Sequence, residues 1–232
     1  MLEGKAMITP MRIEVVFDAI CPWCYIGHRR LQRALAEHGG VHVERVWRPF
    51  LLNPEMPAAG MARGEYLTRK FGSEYRARRI FEAIAEAGAE EDIRFAFDRI
   101  SWTPNTVEAH RLVQWAAGPA QTALVERLFE SYFLEGQDLG DPIVLITAAK
   151  DAGLDAREAA AYLASGENAE LVHAENLRAH RAGISGVPCF TLNGRYAIAG
   201  AQEPEVFLRL FDLHNVPAYG SFGAPGQLPL GG

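Results

Sequence analysis

Cys21 and Cys24 stand three residues apart in Cys21-Pro22-Trp23-Cys24. Two thiols at that spacing can share one disulfide if a helix begins between them. Positions i and i+3 at a helix start lie on one face, about 4.5 Å apart along the axis. A disulfide needs Cα atoms about 4.4–6.8 Å apart, so such a pair opens and closes with little backbone movement. Pro22 suits the first turn, where its missing N–H has no intrahelical partner. The unpaired N–H groups and the positive end of the helix dipole favour a thiolate there. Thiols in such settings titrate at about 3.5–7.5 instead of about 8.5. Cys21, outermost and exposed on the helix end, is the expected nucleophile, and Cys24, one turn in, the resolving thiol. The chemistry is thiol–disulfide exchange. A zinc half-site and a buried structural pair are the alternatives. A zinc site of two cysteines and two histidines needs a close His pair, and His173 and His180 do not supply one, so no metal is expected.

Positioning such a pair requires a strand before it and a helix after it. Arg12 to Phe17 alternates polar and apolar, which predicts a strand; Asp18-Ala19-Ile20 then leads into the cysteines. Asp18 is read as a cap or turn residue, or else as a carboxylate near Cys21 that opposes its ionisation. The helix is expected over 22–37, with Ile26, Leu31, Ala34 and Leu35 as its apolar stripe. Arg29, Arg30 and Arg33 form its solvated side, and Gly39-Gly40 ends it. Val41 to Trp47 reads as a second strand, which completes a βαβ unit with a parallel pair. Arg48 to Pro54 is expected to be a packed, ordered loop.

From about 59 to 182 the pattern is helical, as in Tyr66 to Phe71 and Ile80 to Ala87, with Ile93 to Phe97 briefly extended. Thr103 before Pro104, or Asn105 with Glu108 three residues on, would cap a helix running through His110 to Gly118. Further helices follow Pro119, Asp141-Pro142, Asp155 and Asn168. So long a helical stretch must form a subdomain of its own. Gly186 to Leu192, Asn193-Gly194 and Arg195 to Ala199 read as a β-hairpin. Pro204 opens a last helix, with Val206, Phe207, Leu210 and Phe211 turned inward.

The chain has 232 residues, a net charge of −6 and 49% apolar residues, enough for a sizeable core and contrary to general nucleic-acid binding. No apolar run approaches the roughly 18 residues a membrane span requires. Residues 1–10 and 216–232 lack periodicity and are expected to be flexible. Met1 to Met11 does not have the form of a secretory signal, so a cytoplasmic location is expected. That compartment keeps most dithiols reduced, so the pair is expected to be catalytic rather than structural.

Three motifs together resemble the DsbA family of thiol–disulfide oxidoreductases, in its FrnE-like branch. They are Asp18 with Cys21-Pro22-Trp23-Cys24-Tyr25-Ile26-Gly27, Thr103-Pro104-Asn105-Thr106 with Ala109-His110-Arg111-Leu112, and Gly183-Ile184-Ser185-Gly186-Val187-Pro188. The resemblance implies an α/β thioredoxin-like fold (βαβ … ββα) with a large all-helical insertion. Residues 11–55 and 183–215 make up the thioredoxin-like part and 59–182 the insertion.

The resemblance also implies a cis Val187–Pro188 bond facing the cysteines. The Val187 backbone N–H and C=O would be left free to pair with an extended substrate by strand addition. Pro22, Trp23, Val187, Pro188, His110 and Asn105 are then substrate-binding residues. For His110 a structural place on a helix face competes with that role, and for Asn105 a helix cap does. Cys189 stands where the branch commonly carries Phe or another apolar residue. It is read as a small buried hydrophobe, a third redox thiol or an oxidation site.

No cofactor is expected beyond the redox-active disulfide, with glutathione as a co-substrate. The partners are protein thiols and disulfides or a small-molecule thiol; a homodimer is compatible with the sequence. With a Pro-Trp pair between the cysteines, the expected potential lies between about −270 and about −120 mV. Two rival readings are a glutathione-dependent isomerase or transferase, of the 2-hydroxychromene-2-carboxylate isomerase or kappa-class type, and a binding module with idle cysteines. The first commonly has Ser where Cys21 stands.

Overall fold

A computed structural model describes residues 11–39 and 43–212. The expectations for both chain ends, for Gly40 and for Val41 and His42 lie outside the described residues. In chain order the elements are β1 (Met11–Phe17), α1 (Pro22–His38), β2 (Val43–Pro49), β3 (Met61–Ala62), α2 (Arg63–Phe71) and α3 (Glu74–Ala89). A single 3₁₀ turn (Phe97–Arg99), β4 (Trp102–Thr103), α4 (Val107–Trp115), α5 (Pro119–Phe133) and α6 (Pro142–Asp151) follow. The rest are α7 (Ala156–Ser165), α8 (Ala169–Arg181), β5 (Cys189–Leu192), β6 (Tyr196–Ala199) and α9 (Pro204–Asp212).

Among the described residues the main sheet has the order β2-β1-β5-β6. β1 runs parallel to β2 and antiparallel to β5, and β5 is antiparallel to β6. This is the expected βαβ … ββα thioredoxin-like fold, with α2 to α8 inserted between β2 and β5. Alternation along β1 explains why it lies at the centre. Ile13, Val15 and Phe17 enter the main core, and Val16 enters a smaller cluster with Phe50, Ala179 and Cys189.

The insertion is fused to this sheet through aromatic rings. Phe129 of α5 lies edge-on to Phe17 of β1 at 6.1 Å and to Trp47 of β2 at 6.4 Å, and Tyr25 of α1 stacks on it at 5.1 Å. Strand, active helix and insertion therefore share one packed layer, and such pairs contribute about 0.5–1.5 kcal/mol beyond area burial. The indole N–H of Trp47 donates to Thr122 Oγ1 and its backbone N–H to Gln121 Oε1, so α5 also satisfies a polar group on the sheet edge. Helix starts follow the expected caps: Asp141 accepts from Ile143 N–H, and Asp155 from Arg157 and Glu158 N–H.

Ile93 to Ala96 lies outside helices and strands, with the Ala96 N–H donating to the Phe133 carbonyl at the end of α5. Further on, Trp102–Thr103 pairs with Met61–Ala62. Two expectations need correction. α4 ends at Trp115, short of Gly118, since Ala116 is extended and Pro119 must open the next helix. Arg30 is buried rather than solvated, gripped by Glu91 just past α3 and Glu203 just before α9. Among the described residues no helix is long and apolar enough to cross a membrane.

Candidate functional site

The carboxyl end of β1 delivers the chain into a tight turn, in which the Cys21 N–H donates to the Asp18 carbonyl at 3.0 Å. Cys21 is the N-cap of α1 and Pro22 occupies its first turn. The Cys21 carbonyl accepts from Cys24 N–H at 3.0 Å, so the two side chains lie one turn apart on the same helix end. Both are free thiols in contact with one another. Burial first, and then the adjoining Cys21 thiol, push the Cys24 thiol well above the ordinary range.

Across from them lies the Val187–Pro188 bond, which is cis as the resemblance implies. The Cys21 thiol donates to the Val187 carbonyl at 3.6 Å. Cys21 is not outermost: only 4% of it is exposed, whereas Trp23 is 39% exposed. The N-cap lies beneath the Val187–Pro188 segment, and the helix surface that points outward there belongs to the second helical residue.

A close approach makes this covering possible. A Cβ on Gly27 would stand 3.0 Å from Pro188 Cγ, 3.1 Å from Phe190 Cζ and 3.3 Å from Ala201 Cα. Ala201 has little room to yield, since its carbonyl accepts from Arg30 and the Gly200 N–H donates to the Pro188 carbonyl. Gly27→Ala is therefore expected to lower stability by about 1–3 kcal/mol through overpacking, outweighing a gain of up to about 1 kcal/mol in helix propensity. The denaturation midpoint measures this, and iodoacetamide labelling of Cys21 should quicken as Pro188 is pushed outward. Gly27 was given no role from the sequence, although a glycine inside an apolar helical stripe is the signal that marks such a contact.

Asp18 is fully buried and does not cap α1. Its carboxylate accepts from Ile20 N–H at 3.3 Å and Leu52 N–H at 2.8 Å. His110 Nε2 stands 3.6 Å from the same carboxylate. At 1% exposure, with its ring edge-on to Phe17, His110 cannot meet a substrate in this conformation. Its place on the inner face of α4 is fixed by Ala109, Leu112 and Val113, which carry that face into the core.

Both ends of the Asn105 carboxamide are engaged within the chain. Oδ1 accepts from Val107 N–H and Nδ2 donates to the Met56 carbonyl, which ties the start of α4 to the loop after β2. Cys189 faces the smaller cluster with Val16, Phe50 and Ala179, on the side of the sheet away from the main core that holds Cys21. Burial pushes its thiol up. This matches the reading of a small buried hydrophobe.

Two recesses lie on the surface near the loops that follow β2 and precede β5. An uncharged groove of about 590 Å³ runs along Gly183 to Cys189 and the edge strand β6. A pocket of about 350 Å³ is lined by the loop after β2 and by α2: Leu52, Met56, Met61 and Tyr66 are its apolar part, and Asn53, Glu55, Arg69 and Lys70 its polar part. Among the described residues no group of three His, Cys, Asp or Glu side chains converges on a metal position.

Comparison with known proteins gives a consistent picture. The family model described as a DSBA-like thioredoxin domain matches residues 12–212. The uncharacterized protein YwbO of Bacillus subtilis (strain 168) is 26% identical over 203 residues, covering 85% of this chain and 94% of YwbO. The crystal structure of a probable DsbA oxidoreductase from Streptomyces coelicolor is 31% identical, covers 95% of this chain and 97% of its own, and superposes with a TM-score of 0.79. The cytosolic disulfide reductase DsbM from Pseudomonas aeruginosa, solved with GSH, shares the fold at 20% identity with a TM-score of 0.61, covering 87% of this chain and 98% of DsbM.

Proposed function

Because the chain belongs to the DSBA-like thioredoxin domain family, we propose that it catalyses thiol–disulfide exchange through Cys21 and Cys24, as a cytosolic member of the FrnE-like branch. The observation that most supports this is the Cys21 sulfur lying 3.6 Å from the Val187 carbonyl across the cis peptide, with Cys24 one turn behind. An extended substrate pairing with the Val187 backbone replaces that contact and brings its own sulfur to Cys21. In the reducing direction the Cys21 thiolate attacks a substrate disulfide; one substrate sulfur leaves as a thiolate and the other stays bonded to Cys21. Cys24 then attacks Cys21 and releases the substrate reduced. In the oxidising direction the same steps run backwards from the Cys21–Cys24 disulfide.

Glutathione belongs to this reading as a co-substrate, since DsbM was solved with it. The 350 Å³ pocket offers a peptide carboxylate two cations, Arg69 and Lys70, against one carboxylate, Glu55, with Lys70 Nζ donating to Asn53 Oδ1 at 3.0 Å. The glutathione-dependent isomerase reading does not need a second thiol, and this chain keeps both.

The test is to oxidise the purified protein with glutathione disulfide and map the bond by mass spectrometry, beside insulin reduction and refolding assays. A Cys21–Cys24 bond is expected, together with turnover in at least one assay. In the reduced protein at neutral pH, iodoacetamide is expected to label Cys21 first, since burial pushes both Cys24 and Cys189 up. A bond joining any other pair, or equal labelling of all three thiols in the folded protein, would count against the proposal.

A further inference from the structure

The groove of about 590 Å³ beside the cis peptide runs from Gly183 past Val187 and Pro188 to Ala197, Ala199 and Gly200, and no charged side chain lines it. Among the described residues β6 ends the sheet, with no strand on its outer side. Ala197 and Ala199 are exposed, as are Ser185 and Gly186 in the loop before β5. Open strand edges are commonly blunted by charge or proline. Tyr196 to Ala199 carries neither. An uncharged extended segment would meet a strand edge and a trough of small side chains there.

The chain supplies such a segment after Asp212, outside the described residues. Lys, Arg, Asp and Glu make up 22% of the sequence, yet 213–232 contains none of them. The stretch has neither a helical nor a strand period, but its bulky residues recur every third position: Val216, Tyr219, Phe222, Pro225 and Leu228. Glycine, alanine, serine, proline and glutamine fill the places between. A polyproline II strand has three residues per turn and no internal hydrogen bonds. In that form the spacing gives one apolar ridge on a chain whose backbone is free to pair. The reach also suffices. Phe211 lies edge-on to His38 at 5.7 Å, so α9 ends beside the end of α1 far from the cysteines. Val187 lies at the near end, where the Cys21 thiol meets it. α1 has 17 residues and is about 25 Å long. At about 3.1 Å per residue, Leu213 to Phe222 covers that distance.

We propose that residues 216–228 seat in this groove of their own chain as an extended strand and compete with substrate for the Val187 backbone. The competition rests on the exchange reading above; the seat does not. In the seat Phe222 comes to Val187 and Pro188, and Tyr219 and Val216 trail back along β6. Substrate then binds only the fraction of molecules whose groove is empty, so the tail raises KM by the reciprocal of that fraction and leaves kcat unchanged. The three cysteines are Cys21, Cys24 and Cys189, so the tail brings no thiol of its own. It blocks strand pairing without entering a mixed disulfide.

The experiment places p-benzoylphenylalanine at position 222 of the full chain, irradiates it and maps the cross-linked peptides by mass spectrometry. Cross-links to 182–200 of the same chain are expected, at a yield independent of protein concentration. Beside it, reduction of a disulfide-bonded peptide, with dithiothreitol as reductant, is followed in the full chain carrying Tyr219→Ser and Phe222→Ser. Relative to the parent, KM is expected to fall about three- to tenfold with kcat within about twofold. A synthetic peptide of residues 213–232 added to that variant should raise KM again as a competitive inhibitor. Cross-links that avoid 182–200, or an unchanged KM in the double variant, would overturn the inference and leave the exchange reading standing. Cross-links between two chains, rising with concentration, would overturn it too and assign the groove to a second copy. A parent protein that turns over no disulfide while position 222 cross-links to 182–200 would sink the exchange reading, and the competition with it, but not the seat.

Discussion

Cys21→Ser is expected to lower thiol–disulfide exchange by roughly 10³-fold or more, and Cys24→Ser to accumulate protein bonded covalently through Cys21. The asymmetry follows from geometry. The Cys21 sulfur is the one turned toward the Val187 carbonyl, where a substrate strand would pair. Serine there keeps the size and a hydrogen bond but cannot form or break a disulfide. Cys24 lies one turn deeper, with its thiol held protonated by burial. Removing it leaves the first attack intact and takes away only the release step. Cys24→Ser should therefore give higher-mass bands on non-reducing gels that disappear with dithiothreitol, each containing a Cys21-linked peptide by mass spectrometry. Adding Cys21→Ser should abolish them. Cys189→Ala is the control: it faces the other side of the sheet and should leave both the trapping and the turnover unchanged. Bands that persist without Cys21, or that need Cys189, would reject the assignment of roles.

The cysteine turn was legible because its signals are local. Alternation in β1, proline in the first turn of α1 and the i, i+3 spacing each act within a few residues, and all agree. The same holds for the caps Asp141 and Asp155 and for the Asn193-Gly194 turn, where both residues take positive φ. What the sequence hid depends on contacts between distant segments. His110 looks like a residue on a groove until Phe17 and Asp18 are seen to enclose it. Cys21 looks outermost until the segment some 166 positions further on closes over it. In each case local propensity was correct and long-range packing decided the outcome.

Arg30 is the sharpest instance, and it carries the largest expected loss of stability. On helical periodicity it belongs with Arg29 and Arg33 on an outer face, yet its side chain is only 6% exposed. Its Nε donates to Glu91 Oε1 at 3.1 Å, and its Nη1 lies 2.7 Å from both the Ala201 carbonyl and Glu203 Oε1. Glu91, just past α3, is itself 2% exposed and also accepts from Arg33. One guanidinium thus joins α1 to the end of the first long insertion helix and to the segment before α9. Arg30→Ala would leave the buried Glu91 carboxylate with only the exposed Arg33 as partner and the Ala201 carbonyl unpaired. The expected loss is about 3–5 kcal/mol, or about 6–20 °C in Tm for a chain of this size. Replacing both partners with apolar residues, as in Arg30→Met with Glu91→Leu, should recover much of that loss, because the penalty arises from the charge left behind. The consequence also reaches the site. The Ala201 carbonyl that Arg30 holds follows Gly200, whose N–H donates to the Pro188 carbonyl. Arg30→Ala should therefore quicken labelling of Cys21 as well as lower the midpoint of urea unfolding. A loss below about 1 kcal/mol, the range of surface ion pairs, would mean that the guanidinium is not the buried anchor its contacts describe.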